Sequence, residues 1–314
     1  MNISICITTL NEEDSIGRLL DSLLAQPKKP DQIIIVDGGS EDKTVEIIRH
    51  YQKREGRIKL LVEKCSRARG RNLGVEIAKS EIILMTDAGC VASPYWIKNI
   101  ISPFDNAGVD VVAGFYRMTG SHPVKKAMSV FLGTRPKDFD VSFLPSTRSI
   151  AFTKKIWEKV GGFPEGAERT AEDTVFNYKL IKNGAKISRM KNAIVEWGMP
   201  GSIKDFRSKI YEYAKGDAKS KIWIFPGKGF ASHNIKALFV LFRYLAGFSL
   251  LVLSFEFPYL LAYLLFFFFL YLIYAFRKIY LEFRDYRVAV WGPILQIVSD
   301  LGVMGGFVSG IINR

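Results

Sequence analysis

The chain has 314 residues, of which 48% are hydrophobic and 24% charged, with a formal net charge of +13. This length exceeds one ordinary domain, and a soluble core alone does not account for the apolar content. The positive charge suits anionic lipid head groups, a phosphate-bearing substrate or nucleic acid, but the long apolar segments and the lack of a recognisable binding motif argue against nucleic acid.

The amino-terminal third alternates short apolar runs with amphipathic segments. We predict strands at 3–8, 33–37, 58–62 and 82–87, separated by helices that begin near Ile16, near Val45 and after Arg71. This alternation is typical of a parallel sheet with right-handed crossovers. The amino terminus lacks the charged leader of a signal peptide. Three irregularly spaced cysteines exclude a disulfide framework and a zinc site, which predicts a reducing, cytosolic location for this part.

The pattern becomes mixed from Val109 onward. The predicted elements are a strand to Phe115, an irregular stretch through Leu144, a strand at 148–153, helices at 154–160 and 172–182, and strands at 186–190 and 193–197. The expected fold is therefore α/β, with a mixed sheet flanked by helices.

The carboxyl third has the composition of a membrane domain. Ala237–Phe255 and Phe257–Phe276 are long enough to cross a bilayer, and Val288–Ile312 is a weaker third candidate that carries Asp300 and several glycines. Arg243 lies early in the first stretch, where it can reach the interface. We predict a catalytic unit at 1–220, an interfacial linker at 221–236 and a membrane domain of two to three helices at 237–314. A buried soluble hairpin is the alternative, which the run Leu264–Leu270 disfavours.

A basic loop between the second and third apolar stretches sets the expected orientation. It contains Arg277, Lys278, Arg284 and Arg287, and the positive-inside rule places it in the cytosol. Two crossings return the chain to its starting side, so the catalytic unit is expected to be cytoplasmic on a multi-pass protein of the cell membrane.

Two predicted strands end in the same way, with an aspartate followed by glycine. Ile33–Val36 is followed by Asp37-Gly38-Gly39-Ser40, and Ile82–Thr86 by Asp87-Ala88-Gly89. In open α/β sheets, ligands bind at the carboxyl ends of the strands, where a carboxylate can hold a polar ligand or a metal. The alternative is a simple strand-terminating turn.

These segments resemble, in order and spacing, those of the family 2 glycosyltransferases, which have the nucleotide-sugar-binding fold called GT-A. The matching pieces are Ile7–Glu12, Val36–Thr44, Ala68–Asn72, Thr86–Cys90, Pro145–Phe152, Val160–Pro164 and Ala171–Thr174. The resemblance covers about residues 1–220. It implies that the nucleotide sugar is held by Thr8, Thr9, Leu10, Glu12, Asp37, Gly38, Arg71, Asp87 and Ala88.

The resemblance also implies a divalent cation, Mg²⁺ or Mn²⁺, at Asp87. The family's motif has a second aspartate two residues later, and in this chain Gly89 occupies that position. One or two carboxylates with phosphate oxygens and water suffice for such a cation, so we expect metal affinity to depend on the bound nucleotide. Glu196 is a further candidate oxygen donor.

By the same resemblance, one carboxylate of the pair Glu172-Asp173 is the catalytic base, and we choose Asp173. Helix capping is the alternative role for the pair. An acceptor that is already anionic, such as a lipid phosphate, would need no base. Tyr211 and Tyr213 line the acceptor site or pack in the core.

The predicted function is a membrane-anchored, inverting transfer of a sugar from a nucleotide sugar to an acceptor, which the membrane domain predicts to be lipid-linked. Such an enzyme would serve cell-envelope polysaccharide or glycolipid biosynthesis. One alternative is a catalytically inactive scaffold of the same fold at the membrane, for which Gly89 is the one indication. Another is a nucleotidyltransferase, which the loop 8–14 disfavours because it contains neither glycine nor a basic residue.

Overall fold

The computed structural model describes residues 1–106, 108–165, 171–226 and 232–312. The chain divides into two compact units. The first contains Met1–Met118 and Thr134–Gly198, and the second contains Thr119–Gly133 and Met199–Arg314. The predicted linker at 221–236 lies partly outside the described residues.

The first unit is built on one mixed sheet of eight strands in the order β3-β2-β1-β4-β7-β6-β8-β5. The strands are β1 (Ile3–Thr9), β2 (Gln32–Asp37), β3 (Ile58–Val62), β4 (Ile82–Met85), β5 (Cys90–Ala92), β6 (Val111–Thr119), β7 (Ile150–Thr153) and β8 (Ile187–Gly198). Strands β1 to β4 are parallel to one another, whereas β7 runs antiparallel to both β4 and β6, and β5 runs antiparallel to β8. The predicted GT-A-like mixed α/β sheet is thus confirmed.

The helices of the first unit flank this sheet. In chain order the helices of both units are α1 (Ile16–Leu24), α2 (Thr44–Arg54), α3 (Arg67–Ile77), α4 (Trp96–Ile101), α5 (Pro123–Leu132), α6 (Lys154–Lys159), α7 (Glu172–Lys182), α8 (Ile203–Ser220), α9 (His233–Leu253), α10 (Tyr259–Phe283), α11 (Tyr286–Ala289) and α12 (Trp291–Ile312). Helices α5 and α8 to α12 belong to the second unit.

Three sequence-based assignments are wrong. The stretch expected to be irregular through Leu144 contains α5, whose short apolar run is bounded by Pro123 and Gly133. The two strands expected between 186 and 197 are one strand, β8, because the polar pair Lys191-Asn192 continues in extended conformation. The helix expected after Arg71 begins earlier, at Arg67, where the Ser66 hydroxyl caps it by accepting from the Arg69 backbone N–H.

Helix α3 lies unusually close to the sheet, and this closeness positions its side chains. A Cβ atom at Gly70 would lie 3.1 Å from the Thr8 Cγ2 atom, and one at Gly74 would lie 3.2 Å from the Cys6 Cβ atom. Both glycines therefore allow the helix backbone to approach β1. On the same side of the sheet, Phe152, Phe163 and Phe176 form a buried aromatic cluster.

The second unit contains three long apolar helices, the charged helix α8 and the shorter helices α5 and α11. Three segments, His233–Leu253, Tyr259–Phe283 and Tyr286–Ile312, are long and apolar enough to cross a membrane. These helices indicate membrane association. Because α9 begins at His233, Arg243 lies at its middle rather than early in the apolar stretch. Its guanidinium forms an ion pair with Asp300.

Candidate active site

The loops after β1 and β2 are joined by hydrogen bonds into one surface. The Asn11 backbone N–H donates to the Ser40 hydroxyl at 2.8 Å, and the Glu41 N–H donates to the Asn11 side chain at 2.9 Å. The Glu12 N–H donates to the Thr44 hydroxyl at 2.7 Å. Asn11 adopts a left-handed conformation with φ of 54°, which asparagine tolerates better than most residues. The predicted nucleotide-binding segments 8–12 and 37–38 therefore meet at one edge of the sheet.

The Asp37 carboxylate stabilises the turn that follows β2. It is fully buried and accepts from the backbone N–H groups of Gly39 and Ser40, at 3.0 and 2.8 Å, and from the Ser40 hydroxyl at 2.6 Å. Gly39 has a φ of +98°, so the turn requires glycine at this position. Asp37 thus shapes the loop, and the N–H of the following Gly38 donates to the Thr9 carbonyl oxygen at 2.9 Å.

Arg71 is the centre of the site. It is 3% exposed, and its guanidinium donates to Glu172 at 2.6 Å, to Asp87 at 3.1 Å and to the Thr147 hydroxyl at 2.9 Å. Since these partners come from α7, the end of β4 and the loop before β7, one side chain joins three separate segments. The resemblance predicted a nucleotide contact for Arg71; the structure shows both terminal nitrogens bonded to protein groups.

The two carboxylates at the start of α7 have different environments. Glu172 is 3% exposed and also accepts from Arg67 at 3.4 Å, so it lies between two guanidinium groups. Asp173 is only partly buried, and its carboxylate accepts from the backbone N–H of Thr174 at 2.8 Å. The preceding residue, Ala171, has a φ of 79°, a left-handed conformation that costs a non-glycine residue about 1–2 kcal/mol. The strained backbone lies directly beside the pair.

Burial and neighbouring charges shift the pKa values of Asp87 and Asp173 in opposite directions. Burial would raise the pKa of Asp87, but Arg71, Arg148 and Arg67 together hold the pKa below its ordinary value. Burial, followed by the charge of Glu172, raises the pKa of Asp173 above its ordinary value, although Arg71 and Arg148 oppose this. Asp87 is therefore a stable anion, whereas Asp173 is a stronger base than an exposed aspartate.

Arg148 is a site residue to which sequence reasoning assigned no role. Its guanidinium carbon lies 3.9 Å from the centroid of the Trp197 ring and 5.1 Å from that of Tyr116, and its Nε atom is 4.0 Å from Asp87. Stacking between aromatic rings holds a guanidinium in place while keeping its charge. Arg148 lies within one of the matching segments, which is the one sequence signal that could have identified it.

The surroundings of Gly89 show how a divalent cation could be held. A Cβ atom at this position would lie 3.8 Å from the Glu12 Oε2 atom and 3.8 Å from the Trp197 Nε1 atom, which is ordinary contact distance. Glu12, a predicted nucleotide-binding residue, thus brings a carboxylate to the place where the family's second aspartate would extend. Asp87 and Glu12 offer the oxygen donors that Mg²⁺ and Mn²⁺ prefer, and phosphate oxygens and water complete such sites.

The described residues contain no group of three or more acidic, histidine or cysteine side chains that could hold a metal unaided. Glu196, the further candidate donor, lies 3.9 Å from Arg117 and is 42% exposed, so its contact is an ion pair at the surface. Of the other predicted binding residues, Thr8 and Thr9 end β1, Leu10 follows directly, and Ala88 lies three residues beyond the end of β4.

The sequence and the fold are both similar to those of known glycosyltransferases. Residues 4–158 match the sequence profile of the family described as Glycosyl transferase family 2. The chain is 29% identical over 169 residues to the glycosyltransferase AglE of Haloferax volcanii, covering 52% of this chain and 56% of that protein. It is 27% identical over 250 residues to the dolichyl N-acetyl-alpha-D-glucosaminyl phosphate 3-beta-D-2,3-diacetamido-2,3-dideoxy-beta-D-glucuronosyltransferase of Methanococcus voltae, covering 71% of this chain and 77% of that protein.

The fold is similar to that of a solved mannosyltransferase from Pyrobaculum calidifontis in complex with GDP-Man and Mn²⁺. The TM-score is 0.62 at 18% identity, and the similarity covers 96% of this chain and 87% of that one. The chain belongs to glycosyltransferase family 2 and is a nucleotide-sugar-dependent enzyme of that family.

The different environments of Glu172 and Asp173 predict different effects on stability. We expect Glu172→Ala to lower the free energy of unfolding by about 3 kcal/mol, because it leaves the Arg71 charge buried with one partner fewer. Glu63→Ala removes an exposed glutamate 3.9 Å from Arg69 and is the matched control, with an expected cost below about 1 kcal/mol. Thermal unfolding in detergent measures the difference, and equal melting temperatures for the two variants would contradict the structural role of Glu172.

The absence of close contacts for a Cβ atom at Gly89 predicts that a second carboxylate can be introduced there. Gly89 does not have a positive φ, and a Cβ atom there meets nothing closer than 3.8 Å, so Gly89→Asp should fold. We expect this variant to bind Mn²⁺ at least about tenfold more tightly than the parent, because a further oxygen ligand joins Asp87. Gly89→Asn is the matched neutral control. Titration of free Mn²⁺ by electron paramagnetic resonance measures the affinity without any turnover, and unchanged binding would contradict the site.

Proposed function

We propose that the chain is a membrane-anchored, inverting glycosyltransferase that transfers a sugar from a nucleotide-sugar donor to a hydroxyl group of a lipid-linked acceptor. The observation that carries this proposal is Asp173. Its carboxylate has a raised pKa, is within electrostatic reach of Arg71 and Arg148, and follows Glu172, to which Arg71 donates.

The reaction needs a base on one side of the anomeric carbon and positive charge on the other. The acceptor oxygen forms a bond to the anomeric carbon, and the bond from that carbon to the diphosphate oxygen breaks with its electron pair leaving on the nucleoside diphosphate. The acceptor proton passes to the Asp173 carboxylate. Arg67 and Arg148 supply positive charge towards the leaving diphosphate, while Arg71 holds Glu172 and Asp87 in place.

A divalent cation fits the same scheme. Held by Asp87 with Glu12 beside it, such a cation would neutralise part of the diphosphate charge. The arginines already present near Asp87 mean that this neutralisation is shared between the cation and the protein.

The acceptor is proposed from the membrane helices and from one relative. The name of the Methanococcus voltae relative gives its acceptor as a dolichyl-linked N-acetylglucosaminyl phosphate. An anchored enzyme and a lipid-linked acceptor share one plane, which raises their effective concentration. A hydroxyl acceptor also requires a base such as Asp173, whereas a bare lipid phosphate would not. The catalytic unit is proposed to be cytoplasmic because the loop at 277–287 is basic.

A catalytically inactive scaffold of the same fold is the alternative, and Gly89 is the observation that favours it. The two functions differ in one measurable product. The enzyme releases a nucleoside diphosphate when donor and acceptor are mixed, whereas the scaffold binds donor without release.

The role of Asp173 is tested by Asp173→Asn, which keeps the shape of the side chain and removes its basicity. We expect the transfer rate to fall at least about a hundredfold, the usual contribution of a positioned general base. A screen of UDP-, GDP- and dTDP-sugars by thermal shift, with and without Mn²⁺, first identifies the donor. The same thermal shift in Asp173→Asn shows that donor binding is retained. Normal turnover of this variant would refute the assignment.

The raised pKa of Asp173 predicts a pH dependence with a defined sign. The base must be ionised, so the rate rises with pH through its raised pKa, and the acidic limb lies above the ordinary aspartate value of about 3.9. Replacing the neighbour by Glu172→Gln removes a negative charge and should move this limb to lower pH. Profiles of kcat/KM against pH for both proteins measure the shift, and a shift in the opposite direction would contradict the proposed base.

A further inference from the structure

Helix α12 packs along α8 with their backbones in contact. Cβ atoms at Gly306 and Gly310 would lie 2.2 and 2.5 Å from the carbonyl oxygens of Tyr211 and Lys215, and one at Gly302 would lie 3.2 Å from that of Arg207. The contacts advance by four residues on both helices and in the same direction. The two helices are therefore parallel over this length, and glycine is required for so close an approach.

The composition of α8 is incompatible with a position in the hydrocarbon core. Eight of its 18 residues are charged: Lys204, Asp205, Arg207, Lys209, Glu212, Lys215, Asp217 and Lys219. Parallel helices in contact share the same depth. If α12 crossed the bilayer, most of these charges would lie within it, where ionised side chains are strongly disfavoured.

We propose that only α9 and α10 cross the membrane, and that α12 lies with α8 along the membrane surface. The exposed apolar side chains of α12 are consistent with contact between lipid and one face of this helix only. Its exposed large apolar side chains are Ile294, Leu301, Val308 and Ile312, which recur mainly at intervals of seven and form one stripe. A single apolar stripe is typical of a helix that lies in the interface. In contrast, α9 and α10 expose apolar side chains along their whole length, and only 6% of each candidate span is buried.

A polar cluster fixes the level at which α12 meets α9 and α10. Asp300 accepts from Arg243 of α9 and, at 2.5 Å, from the Tyr271 hydroxyl of α10, while the Gln296 amide donates to it at 3.0 Å. Tyr271 precedes the basic residue Arg277 by six positions, which is about 9 Å along a helix. Arg243 and Tyr271 lie near the middles of α9 and α10, so a surface position of α12 requires these two long side chains to reach towards the basic side of the bilayer.

The inference predicts on which side of the membrane the end of α12 lies. The α9–α10 connection at Glu256 and the end of α12 at Ile312 are both exposed. With two crossings these positions lie on opposite sides of the membrane, and with three crossings they lie on the same side. This comparison does not depend on which side carries the catalytic unit, nor on whether the protein is active.

Single cysteines at these positions test the inference in the full chain. Glu256→Cys and Ile312→Cys are introduced into a Cys65→Ser background, because Cys6 and Cys90 are buried, and intact cells are treated with a membrane-impermeant maleimide. We expect one position to be labelled in intact cells and the other only after permeabilisation. Labelling of both positions from the same side would overturn the proposal.

Two matched leucine variants test the depth of α12. Leu265 of α10 is 58% exposed and Leu301 of α12 is 44% exposed. We expect Leu265→Lys to reduce the protein recovered in alkali-washed membranes about fivefold, because the ammonium enters the hydrocarbon, and Leu301→Lys to stay within about twofold of the parent. An equal loss in both variants would show that α12 lies as deep as α10 and would overturn the proposal.

Discussion

The ion pairs of Arg71 hold the candidate active site together. A guanidinium cannot lose its charge, so its burial requires carboxylate partners, and Glu172 and Asp87 supply them from separate segments. Such a network adds little net stability compared with an apolar core, but it is costly to break once formed. It therefore restricts the ways in which α7 can meet the end of β4. The close approach of α3 to β1, which Gly70 and Gly74 allow, brings Arg71 within reach of both carboxylates.

The same network explains why two adjacent carboxylates can have separate roles. Glu172 lies between Arg71 and Arg67 and accepts from both guanidinium groups. Burial, and after it the neighbouring Glu172, raises the pKa of Asp173, which is one residue further along the first turn of α7. The left-handed Ala171 fixes where that turn begins. A positioning carboxylate and a base are thus obtained from consecutive residues, and backbone strain at Ala171 is part of the arrangement.

The sequence predicted the elements whose signals are local. Buried β-branched runs gave β1 to β4 nearly to the residue, and the acidic start and Asn183-Gly184 end gave α7 its bounds. Signals that depend on tertiary contacts were not available. The stacking of Arg148 on Trp197 joins residues far apart in the chain, and no spacing rule indicates it. The same holds for the protein partners of Arg71, which the sequence marked as a ligand for phosphate and which in the structure donates to Glu172, Asp87 and Thr147.

The membrane helices show a related limit of pattern reasoning. Hydropathy measures whether a segment can tolerate hydrocarbon, and α9, α10 and α12 all meet that criterion. It does not measure what the segment packs against. From the sequence alone, the glycines of α12 equally predict a contact face between two membrane-crossing helices. Their contacts with the backbone of Arg207, Tyr211 and Lys215 identify the neighbouring helix as the charged helix α8. A segment's depth is therefore limited by its most polar close neighbour, because helices in backbone contact cannot be solvated separately.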